Sequence, residues 1–139
     1  MSIEVTKGVV TYSKKKQGDE YLYINGRRSN FRVKEFACND GTDTILIDSE
    51  LVEKLQIIRE HFAKPLFINS AYRTSTYNKK VGGTDNSQHV LGKAADIRIP
   101  NVTPSQLAEF AKLIGFRGVG IYSWGCHVDT RINKSYWNG

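Results

Sequence analysis

The sequence predicts an α+β fold: a small antiparallel sheet with helices packed on one side. Two observations carry this. From residue 48 to residue 131 the local patterns run helix, strand, strand, helix, hairpin, the order of a sheet whose strands and helices are segregated. The best-defined strand is apolar on one face only, since Ala95, Ile97 and Ile99 alternate with Asp96 and Arg98.

The first 35 residues carry short alternating pieces, Glu4-Val5-Thr6 and Tyr21-Leu22-Tyr23-Ile24, with a turn signal at Asn25-Gly26. They read as an N-terminal hairpin or extended arm. Lys14-Lys15-Lys16, beside Gly18 and Asp19, reads as a solvated turn. A helix opens at Asp48 or Ser49. Leu51, Leu55, Ile58 and Phe62 form one apolar stripe along it, and Pro65 marks its end. Leu66–Ser70 reads as a strand, and residues 75–81 as a short helix stopped by Gly82-Gly83. The strand at 95–99 follows and closes at Pro100. Thr103, Pro104 and Gln106 then make a capping box with a proline start, and Leu107, Phe110, Ala111 and Ile114 form the buried face of the helix that ends at Gly115. Residues 118–122 and 126–131 make a terminal hairpin through Trp124-Gly125.

The 139 residues suit one domain, with 1–35 as the arm and 36–139 as the core. Apolar residues at 40% and charged residues at 24% fit a globular chain rather than a disordered one. No run approaches the roughly 18–20 apolar residues of a spanning helix, so no membrane partner is expected. The start, MSIEVTKGVV, lacks the basic and apolar regions of a secretory leader, which leads us to expect synthesis in the cytoplasm. A net charge of +6 suits a polyanion such as an acidic cell-wall polymer, and equally a solvated face that keeps a monomer soluble. No arginine-rich helix supports nucleic-acid binding. The two cysteines, Cys38 and Cys126, form no CxxC pair, which excludes a cysteine zinc knuckle. Two buried thiols are expected, with one long-range disulfide as the alternative.

Of three histidines, His61 falls in the last turn of the first long helix, where a cation suits the helix dipole. His89 and His127 each stand near a carboxylate. Gly92 and the strand after it put His89 on a loop and Asp96 on the polar face of a strand, a poor place for a carboxylate without a partner. His127 and Asp129, at i and i+2 of a strand, point the same way. If the hairpin pairs beside the 95–99 strand, His89, Asp96 and His127 converge. Two imidazoles and a carboxylate suit zinc, and three protein ligands leave a fourth position for water. Spacing alone suggests such a site without establishing it.

SAYRT (70–74), NKKVGG (78–83), SQHVLGKAADI (87–97) and CHVD (126–129) together resemble the zinc D-alanyl-D-alanine carboxypeptidases. That peptidoglycan D,D- and L,D-peptidase family includes the vancomycin-resistance D,D-carboxypeptidases and phage endolysin peptidases, with the hedgehog signalling domain as a structural relative. NFRVKEFACNDG (30–41) looks like the lead-in of small members, so the resemblance covers roughly residues 30–131. It implies a hedgehog-like fold, one zinc ion held by His89, Asp96 and His127, and Arg73 beside the substrate, stabilising developing negative charge. The bland alternative for Arg73 is a surface salt bridge.

One departure matters. Many relatives place an acidic general base three residues before the last ligand histidine, where this chain has Trp124. Asp129 is then expected to be either the base or a carboxylate that orients a ligand imidazole, with Glu35 and Asp85 as fallback bases. Tyr72, Tyr122 and Trp124 would line a groove for a peptide stem or sugar, or simply pack. Ser87 would meet substrate or bond the loop backbone. The resemblance thus implies a zinc peptidase acting on stem or cross-link peptides of the cell wall, as a D,D-carboxypeptidase or endopeptidase, released as a lysin or carried by a virion. The alternatives are a zinc-holding binding module without catalysis and, more remotely, a basic nucleic-acid-binding domain.

Overall fold

The computed structural model describes residues 3–139, so the expected arm lies outside it at residues 1 and 2. In chain order the elements are β1 (Ile3–Glu4), β2 (Val9–Ser13), α1 (Lys14–Gln17), β3 (Tyr21–Ile24), β4 (Arg27–Arg32), a 3-10 turn (Val33–Phe36), β5 (Thr44–Asp48), α2 (Ser49–Phe62), β6 (Phe67–Ser70), α3 (Ser75–Lys80), β7 (Ala94–Arg98), α4 (Pro104–Leu113), β8 (Gly118–Tyr122), β9 (Gly125–Asp129) and β10 (Ser135–Asn138). The architecture is mixed, with small sheets and four helices.

The principal sheet has five strands in the order β10-β8-β9-β7-β6. Its β6–β7, β7–β9 and β9–β8 pairs are antiparallel, as expected, but β10 runs parallel to β8. The sequence pattern had placed no strand after residue 131. The chain leaves β9 at Asp129 and turns back, which makes the next strand antiparallel to β9. One edge of β9 is already taken by β7 and the other by β8, so the returning strand joins the far edge of β8. Arg117 holds the crossing: its Nη2 donates to Thr130 O (2.8 Å), its Nε donates to Arg131 O, and its backbone O accepts from Ser135 N (2.8 Å). Its guanidinium also makes a bidentate pair with Glu50 of α2 (2.9 and 3.0 Å).

The N-terminal region differs from one arm. The expected hairpin is present as β3 and β4, with Asn25 and Gly26 both at positive φ (51° and 75°), the twist that favours two-residue hairpin turns. β1 joins it in a parallel pair, whereas β2 pairs with β5, more than thirty residues on. The lysine run forms the helical turn α1 rather than an irregular turn. Ser13 caps it by accepting from Lys16 N (3.3 Å), and Asp43 accepts from Lys15 N (2.7 Å) and Ser13 Oγ (2.8 Å).

Two helices build the core. α2 buries Leu51, Leu55 and Ile58 and packs on β4, β5 and α4. α4, with the expected capping box at Thr103 and Gln106, buries Leu107, Ala108 and Ala111 against β8 and β9. Alternation sends Ala95, Ile97, Cys126 and Val128 into this core, where the Cys126 thiol donates to Pro104 O (3.1 Å). Burial pushes that thiol up to about 12, and both cysteines are free and buried. The intervening residues, Asp96, His127 and Asp129, occupy the opposite face of the sheet.

Residues 87–92 form a turn docked on β5. Gly92 O accepts from Asp48 N (2.9 Å), and Gly92 has φ 75° with a Cβ position only 2.6 Å from Leu46 O. Gly92→Ala must therefore strain the backbone and push on β5. We expect it to cost about 2 kcal/mol or more, read as a lowered urea midpoint at unchanged m-value.

Candidate metal centre

Register builds the site. One row of residues crosses the five-stranded sheet: Trp137 beside Gly120, Gly120 beside His127, His127 beside Asp96, and Asp96 beside Ser70. The next row on the same face sets Ser135 beside Gly118, Gly118 beside Asp129, and Asp129 beside Ala94. The two glycines leave room that neighbours fill. A Cβ on Gly118 would lie 2.1 Å from Asp129 Oδ1, and one on Gly120 would lie 2.4 Å from the Trp137 ring.

His89 arrives from the docked turn. Its backbone N donates to Ser87 Oγ (3.2 Å) and its backbone O accepts from Arg73 N (3.1 Å). His89 Nε2 lies 3.2 Å from Asp96 Oδ1, and His127 Nδ1 lies 3.0 Å from the same oxygen. Ligand atoms of His89, Asp96 and His127 all fall within 4.8 Å of one another. The remaining nitrogens are spoken for. His89 Nδ1 donates to Ala71 O (2.6 Å), and His127 Nε2 donates to Asp129 Oδ2 (2.6 Å). These bonds turn His89 Nε2 and His127 Nδ1 toward Asp96, where a proton on the nitrogen donates to the carboxylate and a bound cation would replace that proton at the same lone pair. Two imidazole nitrogens and a carboxylate oxygen fit a borderline divalent ion of the zinc type, with open positions left over.

Asp129 is fully buried. Besides His127 it accepts from Arg131 Nε (2.8 Å) and Nη2 (2.6 Å), and its Oδ1 accepts from Arg131 N (3.1 Å). Arg73 donates from Nε to Ser70 Oγ (3.1 Å), from Nη1 to Asn78 Oδ1 (3.3 Å), and from Nη2 to Asp96 Oδ2 (3.4 Å). Asn78 is itself buried, its Nδ2 donating to Thr84 O (2.8 Å), so it ties the Arg73 guanidinium to the glycine loop.

Arg73, His89, Asp96, His127 and Arg131 line an open groove of about 680 Å³. Ser87, Tyr122 and Trp124 line it. Tyr122 and Trp124 stack with centroids 5.0 Å apart, and Trp137 Nε1 donates to Tyr122 Oη (2.8 Å). Tyr72 is not among the lining residues. It packs against the core, with its backbone N bonded to Phe36 O. Neither fallback acid lines the groove: Glu35 accepts from Arg32 N (2.7 Å), capping the 3-10 turn, and Asp85 faces a separate hollow. Among the described lining residues, Asp96 is the one carboxylate. His61 stacks on Phe110 (3.7 Å), away from this groove.

Four participants were absent from the sequence reading: the Ala71 carbonyl, Asn78, Arg131 and Trp137. Arg131 had a signal, since alternation from Asp129 puts it on the same face. The others depend on long-range packing.

Electrostatics follows from this crowding. Burial works against ionising Asp96, but hydrogen bonds and charge from His127 and His89 outweigh it and hold its carboxyl well below the usual range. Burial likewise opposes ionised Asp129, and Arg131 and His127 overcome it in the same direction. For His127, burial alone would lower the pKa, yet bonds to Asp129 and Asp96 raise it above 6.5. The depressed carboxylates contribute stability above their ordinary 3.8 that is lost as pH falls through and below it. The raised histidine contributes stability below 6.5 that is lost as pH rises through its folded value. Metal-free protein should therefore have its highest urea midpoint between about pH 4 and 6.5. Because proton and metal compete for His127 Nδ1, metal affinity should keep climbing with pH beyond 6.5, measurable by competition against a chromophoric chelator.

Comparison with known proteins places this geometry in a family. Residues 28–130 match the family model described as Peptidase M15, a span that contains His89, Asp96 and His127 as well as Arg73. Over 64 residues the chain is 39% identical to the zinc D-Ala-D-Ala carboxypeptidase of Streptomyces albus G, a match covering 45% of this chain and 25% of that protein. With about three-quarters of its length inside the family model, the chain belongs to the Peptidase M15 family.

Proposed function

We propose that the protein is a zinc peptidase that hydrolyses peptide bonds in the stem or cross-link peptides of peptidoglycan, as a D,D-carboxypeptidase or endopeptidase. The observation that carries this is the convergence of His89 Nε2, Asp96 Oδ1 and His127 Nδ1 in an open groove, with Arg73 beside them. The zinc carboxypeptidase of Streptomyces albus G supports the choice of metal and substrate. A basic chain of net charge +6 suits work against an anionic wall, where the protein would act as a lytic enzyme.

Zinc bound by His89, Asp96 and His127 would supply Lewis acidity, polarising the scissile carbonyl and bringing the pKa of water to about 7. The chain's own residues do the rest. Arg73 offers guanidinium donors at the edge of the ligand cluster, held by Ser70 and Asn78, where they meet an oxygen that gains negative charge. One donor of this kind is worth about 2.7–4 kcal/mol. Asp129, buried and fully engaged by Arg131 and His127, holds the His127 ring in its tautomer rather than taking a proton from water. Tyr122 and Trp124 form an aromatic wall for the substrate.

A second reading draws on one observation: no carboxylate other than Asp96 lines the groove among the described residues. It makes the protein a zinc-holding module that binds cell-wall peptide without cutting it. Mass spectrometry of digested peptidoglycan separates the two, because the peptidase must release peptide fragments in a zinc-dependent way. Intact peptide beside stoichiometric zinc favours the module, and protein without stoichiometric zinc defeats both.

Three variants apportion the roles. His127→Ala should lose tight zinc and all hydrolysis. Arg73→Ala should keep its zinc and lose roughly 10²–10³-fold in kcat. Asp129→Asn should weaken zinc binding by about 10–100-fold, as loss of a ligand-orienting partner does. A general base at Asp129 would instead show as lost kcat at unchanged zinc affinity.

A further inference from the structure

We propose that Trp137 is a positioning residue for the metal centre, its indole clamping the His127 imidazole in the orientation that presents Nδ1 to Asp96. The proposal rests on the reading of His89, Asp96 and His127 as metal ligands. Trp137 lies on β10, beyond the residues 28–130 that match the family model.

The geometry converges from several directions. Trp137 is two strands away from His127 in the same row, with only Gly120 between them. Because Gly120 has no side chain, the indole lies across it and meets the imidazole, ring centroids 5.2 Å apart and planes tilted by 44°. The Arg131 guanidinium lies 5.1 Å from the same indole. One ring thus supports both groups that grip Asp129, the His127 imidazole and the Arg131 guanidinium. The indole is fixed in turn, since its Nε1 donates to Tyr122 Oη (2.8 Å).

An imidazole at a strand position can turn over about χ2, where its preferences are broad and roughly two-fold. Turned over, His127 would put Cδ2 in the place of Nδ1 and Cε1 in the place of Nε2, and lose both its bond to Asp129 and the nitrogen that faces Asp96. Asp129 opposes this from the edge of the ring, and Trp137 opposes it from beside the ring while packing on the Arg131 guanidinium that pairs with buried Asp129. Apolar shielding of this kind tunes a metal site as much as the ligands do.

The test uses the full chain with Trp137→Ala, Trp137→Phe, Gly120→Ala and the double variant Gly120→Ala/Trp137→Ala. Zinc affinity of the metal-free proteins is measured beside their thermal stability and the kcat and KM of the zinc-loaded forms. Trp137→Ala should bind zinc about 10-fold more weakly and lose kcat more than KM. Trp137→Phe, which keeps an aromatic ring, should recover most of the affinity. The methyl of Gly120→Ala displaces the indole and should reproduce the Trp137→Ala defect, and the double variant should be no worse than Trp137→Ala alone. The idea is overturned if Trp137→Ala binds zinc within two-fold of wild type, if Phe rescues nothing, or if the two single defects add.

A measurement on a variant that keeps Trp137 covers the case in which Trp137→Ala does not fold. The chain has two tryptophans, so Trp124→Phe leaves Trp137 as the sole indole. Its fluorescence should be quenched by one equivalent of Co²⁺, and saturation with unchanged emission overturns the proposal. A wild type that binds no metal defeats the peptidase reading itself, whereas metal binding that ignores Trp137 defeats this inference alone.

Discussion

Asp96 sets the terms for everything around it. A carboxylate withdrawn from water costs several kcal/mol unless charged or hydrogen-bonding groups meet it. His89 at 3.2 Å, His127 at 3.0 Å and Arg73 at 3.4 Å meet this one. Each comes from a different place: the turn after α3, the central strand β9, and the segment after β6. Satisfying one side chain therefore fixes three segments relative to one another. The arrangement is also one that a cation can complete, because the nitrogens that face the carboxylate offer lone pairs once their protons are displaced.

Around that pivot, space is made by omission. Bulky polar groups stand side by side on one face because β8 contributes bare backbone at Gly118 and Gly120. The same device recurs in the glycine loop, where a Cβ at Gly83 would lie 2.0 Å from Asn78 Oδ1. Asn78 fills that gap and reaches Arg73 and the Thr84 carbonyl. The polar network thus extends from the ligands through Arg73 to the groove wall without a buried unpartnered side-chain atom among the described residues, the condition under which such networks rigidify a site.

Much of this could be read from the chain. The stripe of α2, the capping box of α4 and the alternation of β7 are local patterns, and each element formed within a residue or two of its expected bounds. The convergence of His89, Asp96 and His127 followed from placing one residue on a turn and two on neighbouring strands. What escaped was the product of distant pairing. Nothing local says that β2 seeks β5, or that residues 135–138 return to the edge of β8. Asp129 shows the boundary well: alternation gives a direction and no distance, so its two roles stayed open. Contacts of 2.6 Å to both His127 and Arg131 favour the orienting one.

The pairing of β7 with β9 carries a consequence of another kind. Asp96 sits opposite His127 because the two strands are aligned in one register. A slip of β9 by a single residue would turn His127 and Asp129 toward α4 and bring Cys126 and Val128 out into the groove. A one-residue slip cannot keep His127 beside Asp96, since side chains alternate with period two. Convergence of all three side chains therefore coincides with closure of the sheet, and a chain that has misaligned this one pair keeps His89 beside Asp96 and loses His127 from the cluster.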